Sequence, residues 1–555
     1  MITPMNRRQF LGGVAAAASS RPLIDRPPAY ASALGATAQG SASREQQWVA
    51  LAERLKPHLR RTTKAPVSLV RPVAAPETFL RWRIDAIGPA AALPERLLKP
   101  GDSVTLDFGT HLTGYVTLSL AGQGRGIDAP ARLKLTFGEV PGEVVEPFDP
   151  YKGWLSRAWL QDEVINVDVL PATIALPRRY AFRYAKIDVV ATSPNYAVRI
   201  HDVSAAAVTS AGDPPPALSS PASERLRRID EVSVHTLREC MQTVFEDGPK
   251  RDRRLWIGDL RLQALTNYAT FRNYDLVKRC LYLFAGLPRE DGLVSACVFE
   301  DPQPTRGHEY IMDYAALYAA CVLEYANASG DWSTARDLWP VVQRQMEILL
   351  PFVSDEGLFS DPGGWWIFVD WSPTLEKTAA MHGILLYSLR QALELARHVG
   401  AHKVGTYETR IAAMAQAGHR AFFDQARGVF VSGPKRQVSW ATQAWMVLSG
   451  IASPTDGARV MRALPSMSDA VRPGGPYLYH YVIEAMLRCG MKREALDLLT
   501  SYWGGMVDAG ADTFWEVYDP KDPMLSPYGN VLSNSYCHAW SCTPAWLLRT
   551  GFGAK

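Results

Sequence analysis

The hydrophobic period changes at AGDPPPALSSPASE, residues 211–224, and that change constrains the fold more than any other feature. Before it, apolar and polar residues alternate; after it, apolar residues recur at helical spacing. A period of two buries one side of a strand, a period near 3.6 buries one stripe of a helix, and no single element satisfies both. The chain is therefore expected to change architecture here. Pro214, Pro215 and Pro216 mark a linker over 211–221, because proline cannot donate to a ladder and disrupts helix interiors. Pro221 suits the first position of a following helix.

Upstream, SVTLDFGTHLTGYVTLSL (103–120), ARLKLTFGEV (131–140) and RYAFRYAKIDVVAT (179–192) alternate between Gly and Pro turns. Several short strands at this spacing predict an antiparallel β-sandwich over 65–210, with a leader and short helix in 34–64. Downstream, candidate helices run near 222–245, 259–284, 309–328, 333–352, 376–398, 405–423, 437–450, 456–464, 474–489, 491–503 and 532–549. Gly330, Gly400 and Gly490 stand where left-handed C-caps would end three of them. Eleven helices over 222–555 approach the twelve of an α/α toroid, in which six hairpins close into a ring. A multidomain reading also fits 555 residues, which exceed the usual ceiling for one core.

The first residues point to export rather than fold. MNRRQFLGGVAAAASS pairs Arg7-Arg8 with a short, weakly apolar run, the pattern of a twin-arginine signal, with a small-residue cleavage site near Ala31-Ser32-Ala33. A signal peptide over 1–33 and a periplasmic or secreted destination are expected. No later stretch approaches the ~18 consecutive apolar residues of a membrane span. Residues 1–33 hold four arginines and one aspartate, so the remainder carries no net charge. That leaves no electrostatic case for nucleic acid or an anionic membrane as partner. Seven cysteines, all at or beyond residue 240, show no zinc-ligand spacing, so no metal is expected; disulfides and buried free thiols are equally open.

Charge is densest in FEDGPKRDRRLWIGDL (245–260), between the first two candidate helices. Asp259 could be an N-cap and Asp252 a surface ion pair. Asp247, just before Gly248 at a predicted helix C-terminus, opposes the macrodipole, which marks it for another task. Far downstream, DAGADTFWEVYDP (508–520) brings Glu516, NSYCHAW (534–540) brings His538, and GGWWIFVDWSP (363–373) brings Trp365, Trp366, Asp370 and Trp371. Trp faces stack on the C–H face of a pyranose and two acids flank a scissile glycosidic bond, so the combination suits sugar chemistry. His308 and His480 have no ligand spacing, and Cys537 and Cys542 are expected to pack on the last predicted helix.

These segments carry a resemblance. DGPKRDRRLWIGD (247–259) resembles the Asp-x-Pro-x-x-acid-x-x-x-Trp-x-x-Asp signature of the α-L-rhamnosidases of glycoside hydrolase family 78, members of the six-hairpin glycosidases. GADTFWE (510–516) is similar to that family's Gly-Ala-Thr-x-x-Trp-Glu motif, His538 follows at the family's spacing, and DFGTHLTGYVTL (107–118) resembles its β-sandwich. The resemblance spans roughly residues 70–550. It implies an N-terminal antiparallel β-sandwich followed by an (α/α)6 barrel, and an exo-acting, inverting hydrolase that releases terminal α-L-rhamnose without a cofactor. It implies Glu516 as general base and Asp252 as general acid, with Asp247 the other candidate acid. Asp247, Arg251, Trp256 and Asp259 would hold the sugar. His538 would contact substrate, and Asp370 with Trp371 is the best further sugar-binding pair. Where the family commonly has Glu as the acid, this chain has Asp252. A six-hairpin glycosidase for another sugar or linkage, or an inactive carbohydrate-binding protein, remains as the alternative; in every case the partner is a carbohydrate.

Overall fold

The computed structural model describes residues 43–218 and 223–553; the expected signal segment and Pro221 lie outside them. Among the described residues, an antiparallel sheet region is followed by a helical domain.

Nine strands make one hydrogen-bonded network: β1 (Arg60–Lys64), β2 (Ser68–Ala74), β3 (Trp82–Pro89), β4 (Ser103–Gly124), β5 (Ala131–Gly138), β6 (Asp162–Val167), β7 (Ala172–Ala175), β8 (Tyr180–Ala191) and β9 (Tyr196–Thr209). Their order is β1-β9-β4-β8-β5-β6, with β2 joining β3 to β4 and β7 pairing β4. Strand β4 is long enough to change partners. Its first half pairs with β8, and from Gly114 it pairs with β9. Gly114 is required at this crossover, because a Cβ there would stand 2.4 Å from the Ala206 carbonyl oxygen. One face buries Leu106, Leu118, Leu133, Phe182, Ile187 and Val198 in a core of its own, each such side chain contributing about 1.5–3 kcal/mol.

The helical domain comprises α1 (Arg44–Arg54), α2 (Glu224–Cys240), α3 (Ile257–Ala269), α4 (Tyr274–Gly286), α5 (Met312–Ser329), α6 (Trp332–Leu349), α7 (Thr378–Val399), α8 (Val404–Phe422), α9 (Trp440–Leu448), α10 (Pro454–Ala463), α11 (Pro476–Arg488) and α12 (Lys492–Asp508). Gly330, Gly400 and Gly490 all adopt positive φ at helix ends, as their positions predict. Helices α3, α5, α7, α9 and α11 pack each on the next, and residues 539–546 touch both α11 and α3. Helix α1 belongs to this domain: Trp48 lies in the helical core and its indole donates to Asp337 at 3.0 Å.

Three expectations are corrected. The single helix expected over 259–284 is two, α3 and α4, broken at Thr270–Asn273, where Asn273 caps α4 by accepting from Leu276 N–H. Helix α2 stops at Cys240, so Asp247 lies well beyond its last turn and the macrodipole argument does not apply to it. The helix expected over 532–549 is absent. That run consists of 3₁₀ turns at Val531–Ser533 and Ala539–Ser541, then a short α turn and a π turn over 544–551. Its amides are taken instead by neighbouring loops: Tyr536 N–H donates to Glu139 and His538 N–H to the Phe514 carbonyl.

The sheet face opposite its core meets the helical domain through polar groups. Gln242 donates to the Val208 carbonyl at 3.0 Å, His235 bonds the His111 carbonyl, and Arg179 pairs with Glu246 at 2.7 Å. On β4, the buried Thr113 hydroxyl likewise donates to the Glu239 carbonyl of α2.

Candidate active site

The charged loop closes on itself. Asp247 N–H donates to the Arg254 carbonyl at 3.0 Å, and the Asp247 carboxylate accepts from Arg254 N–H at 3.1 Å and Asp252 N–H at 3.2 Å. One aspartate thus supplies the internal scaffold of residues 247–254. After the loop, β10 (Leu255–Trp256) pairs with β11 (Cys297–Phe299), which pairs with β12 (Thr305–Arg306), and α3 begins. Trp256 occupies the N-cap position, which corrects the expected N-cap Asp259; that aspartate lies in the first helical turn.

Two distant segments lock onto this loop. Glu516 N–H donates to the Ser535 carbonyl at 3.0 Å, and Ala539 N–H donates to the Asp247 carbonyl at 2.9 Å. The approach is close enough to demand Gly248, where a Cβ would meet Ser535 Oγ at 2.4 Å and the Arg251 carbonyl at 2.6 Å.

At the centre is Arg251. Its Nε donates to the Ser533 carbonyl at 2.7 Å, Nη1 to Asp252 at 3.2 Å, and Nη2 to Glu516. Glu516, buried, also accepts from Ser535 N–H at 3.1 Å and from the Tyr528 hydroxyl. The Tyr528 ring lies over the same guanidinium, 4.3 Å away. Asp252 is the more open acid: its side chain is 14% exposed against 2% for Glu516, and its Oδ2 reaches only Arg254, at 4.0 Å.

His538 Nε2 approaches Asp259 Oδ1 at 3.1 Å, both buried, but without hydrogen-bond geometry, so both atoms have polar capacity to spare. Burial alone would lower the His538 pKa; the charges of Glu516, Asp259 and Asp247 override it and raise it. Burial, with Asp252 and Asp259 beside it, pushes Asp247 up to about 7. Asp259 is raised as well, chiefly by burial.

Asp370 and Trp371 arrive from the 363–373 segment, which α5 holds in place: Asp313 accepts from Phe368 N–H at 2.8 Å and Val369 N–H at 3.0 Å. Trp371 stands edge-on to Tyr528, 5.6 Å between ring centres. Asp370 accepts from Gly474 N–H at 2.6 Å, while its other oxygen is buried without a partner, as are Trp371 Nε1 and Trp256 Nε1. Asp247, Arg251, Asp252, Asp259, Glu516 and His538 form one cluster, and Trp371 joins it through Tyr528. Trp365 packs on Phe352, and His480 is buried 3.5 Å from Glu484, away from the loop residues. Among the described residues no group of His, Cys, Asp or Glu is arranged to hold a metal ion.

Sequence reasoning passed over Lys250, Tyr528, Glu139 and Glu143. Lys250, the residue before Arg251, is buried and pairs with Glu143 and, at 3.2 Å, Glu139, both from the sheet region, while donating to the Asn534 carbonyl. It thereby ties the 247–254 loop and the 534–540 segment to the sheet. Burial would raise Glu139, yet Lys250 and His111 hold it low; burial and the Glu139 charge push Glu143 up to about 7. Breaking such a buried cluster by removing one partner typically costs about 3–5 kcal/mol. The only sequence signal was a lysine in a charge-dense loop, and nothing local names its partners.

The raised carboxyls set a pH dependence. Asp370 is pushed up to about 7 by burial, opposed by Gly474 N–H. A carboxyl whose pKa is higher folded than unfolded binds more protons when folded, so its contribution is full below the unfolded value and lost as pH rises through the folded one. Asp247, Glu143 and Asp370 all act this way between about pH 4 and 7. The Asp370→Asn variant is expected to gain melting temperature over the parent at pH 8 and not at pH 4.5. Melting curves at both pH values check this; an equal shift at both would show that Asp370 is not the titrating group.

A family model described as glycosyl hydrolase family 78 alpha-rhamnosidase N-terminal domain matches residues 66–207, and one described as bacterial alpha-L-rhamnosidase 6 hairpin glycosidase domain matches residues 219–550. Among solved structures, a rhamnosidase from Klebsiella oxytoca with rhamnose bound is 46% identical, with a TM-score of 0.89 over 91% of this chain and 98% of that one. The family 78 rhamnosidase of Bacillus sp. GL1 is 23% identical with a TM-score of 0.71, covering 84% of this chain and 49% of that one. An α-L-rhamnosidase from Streptomyces avermitilis complexed with L-rhamnose is 17% identical with a TM-score of 0.64, covering 89% and 44%. These last two speak to the fold alone. No curated protein matches.

Proposed function

From the premise that this chain belongs to glycoside hydrolase family 78, as a glycoside hydrolase acting on rhamnose, we propose an exo-acting enzyme that releases terminal α-L-rhamnose with inversion. The observation that carries the mechanism is the Arg251 guanidinium, which joins its neighbour Asp252 to Glu516, 265 positions from Arg251 in the chain. One guanidinium and two hydrogen bonds cap the separation of the two acids. That span does not exceed the ~6.5–9.5 Å interval in which an inverting pair leaves room for one water.

In this reading Glu516 takes a proton from that water as its oxygen attacks the anomeric carbon. Asp252 gives its proton to the glycosidic oxygen as the carbon–oxygen bond breaks, so the step balances without an intermediate on the protein. Asp252 suits the acid because it is the more open carboxyl, whereas both Asp247 oxygens are engaged by backbone amides. Asp247, Arg251, Trp256, Asp259, Asp370, Trp371 and His538 would surround the sugar, with the unpartnered Asp259, Asp370 and His538 atoms available to its hydroxyls.

We also propose a β-sandwich over 65–210, a linker over 211–221 and an (α/α)6 barrel over 222–555, closed where residues 539–546 bridge α11 and α3. Arg7-Arg8 and the run after it support twin-arginine export to the periplasm or beyond. The test is turnover of aryl α-L-rhamnoside against a panel of other aryl glycosides, with proton NMR of the first sugar formed. β-L-Rhamnose is the expected first product. The α anomer would refute inversion, and absence of turnover with retained sugar binding would favour a carbohydrate-binding protein.

A further inference from the structure

Trp154 is about half exposed, at 52%, and no other Trp among the described residues stands so far into water. A single exposed apolar residue needs no explanation. This one is different because it is held against Tyr528, a neighbour of Glu516. Its indole N–H donates to the Pro527 carbonyl at 3.0 Å, and its backbone N–H donates to the Tyr528 carbonyl at 3.1 Å. Its ring lies 5.3 Å from the Tyr528 ring, whose hydroxyl donates to Glu516.

The segment around it is equally fixed. Tyr151 bonds Ser533 through their hydroxyls, and Phe148 and Leu160 from the sheet region bury Leu532 between them. A sheet-region loop therefore reaches over the 526–533 segment. It ends in an aromatic plane that is about half exposed and whose indole N–H is taken by the Pro527 carbonyl. Trp371, Tyr528 and Trp154 make a row from the buried acids out to solvent.

We propose that Trp154 is the platform on which the group attached to rhamnose stacks, a leaving group presenting a flat apolar face, either the C–H face of a sugar or an aromatic ring. This rests on the function proposed above. An enzyme that buries only the terminal sugar leaves the adjoining group at the mouth, and a rigid ring there binds it with little loss of side-chain freedom. Trp154 would thus be a specificity-determining residue supplied by the sheet region.

The test compares Trp154→Ala and Trp154→Phe with the parent on three substrates: a rhamnosyl-glucose disaccharide, a rhamnosylated flavonoid, and methyl α-L-rhamnoside, which has no flat leaving group. Trp154→Ala is expected to raise KM about tenfold for either or both of the first two, the affected arm naming the face recognised. It should leave methyl α-L-rhamnoside kinetics and inhibition by free L-rhamnose within twofold. Trp154→Phe, which keeps a ring but loses the bond to Pro527, should recover most of the loss. Unchanged KM on both extended substrates overturns the proposal. So does an equal loss on the methyl glycoside, which would make Trp154 a support for Tyr528. A parent enzyme with no rhamnosidase activity would instead refute the underlying function, a separate and recognisable failure.

Discussion

Glu516→Gln is expected to lower kcat by about 10²–10⁴-fold, the usual contribution of a general base, with little change in sugar affinity. The substitution is tolerable at this site for a specific reason. Arg251 and Ser535 N–H both donate to one oxygen, and the Tyr528 hydroxyl contacts the other. A glutamine can turn its oxygen toward the two obligate donors and its amide toward Tyr528, whose hydroxyl can also accept. The fold should therefore keep its melting temperature near that of the parent while the reaction loses its proton acceptor. Steady-state kinetics beside calorimetric titration with L-rhamnose check both halves. Turnover within tenfold of the parent would remove Glu516 from the base role.

The second large effect is expected from Asp252→Asn, and it should depend on the substrate. A general acid matters most when the leaving oxygen is a poor leaving group. The loss should reach about 10²–10⁴-fold on a rhamnosyl disaccharide and shrink sharply on a nitrophenyl rhamnoside. Asp247→Asn separates the two candidate acids. Asp247, buried and raised to about 7, accepts from the Asp252 N–H at 3.2 Å. If Asp247 serves as the scaffold of the loop, Asp247→Asn should lower kcat with little dependence on the leaving group. If Asp247→Asn instead shows the steep leaving-group dependence and Asp252→Asn does not, the proton donor is Asp247.

Much of this was legible in the residues. The strands over 103–124 and 180–191 follow the alternation closely, because the sheet has a core of its own and a period of two is what one buried face imposes. The motifs were legible because chemistry restricts which residues serve, so Asp247, Asp252, Glu516 and His538 stand out despite lying in irregular backbone, as does Asp259 in the first turn of α3. The last expected helix failed for the same physical reason in reverse. Residues 532–549 are apolar enough to suggest a helix, but they are buried among loops that take up their backbone donors, and no local period records that competition. Lys250 and Tyr528 were illegible because their roles lie wholly in partners distant in sequence, such as Glu143 and Glu516.

The burial of Lys250 against two sheet-region glutamates has a consequence for anyone shortening or recombining this chain. The N-terminal half is no detachable accessory. Excising it would leave the Lys250 ammonium without its two carboxylate partners, release the 247–254 loop from the sheet, and strip away Trp154, the reader proposed for the leaving group. Chimeras should therefore be cut elsewhere than at the proline-rich joint, with Glu139, Glu143 and Lys250 inherited together from one parent.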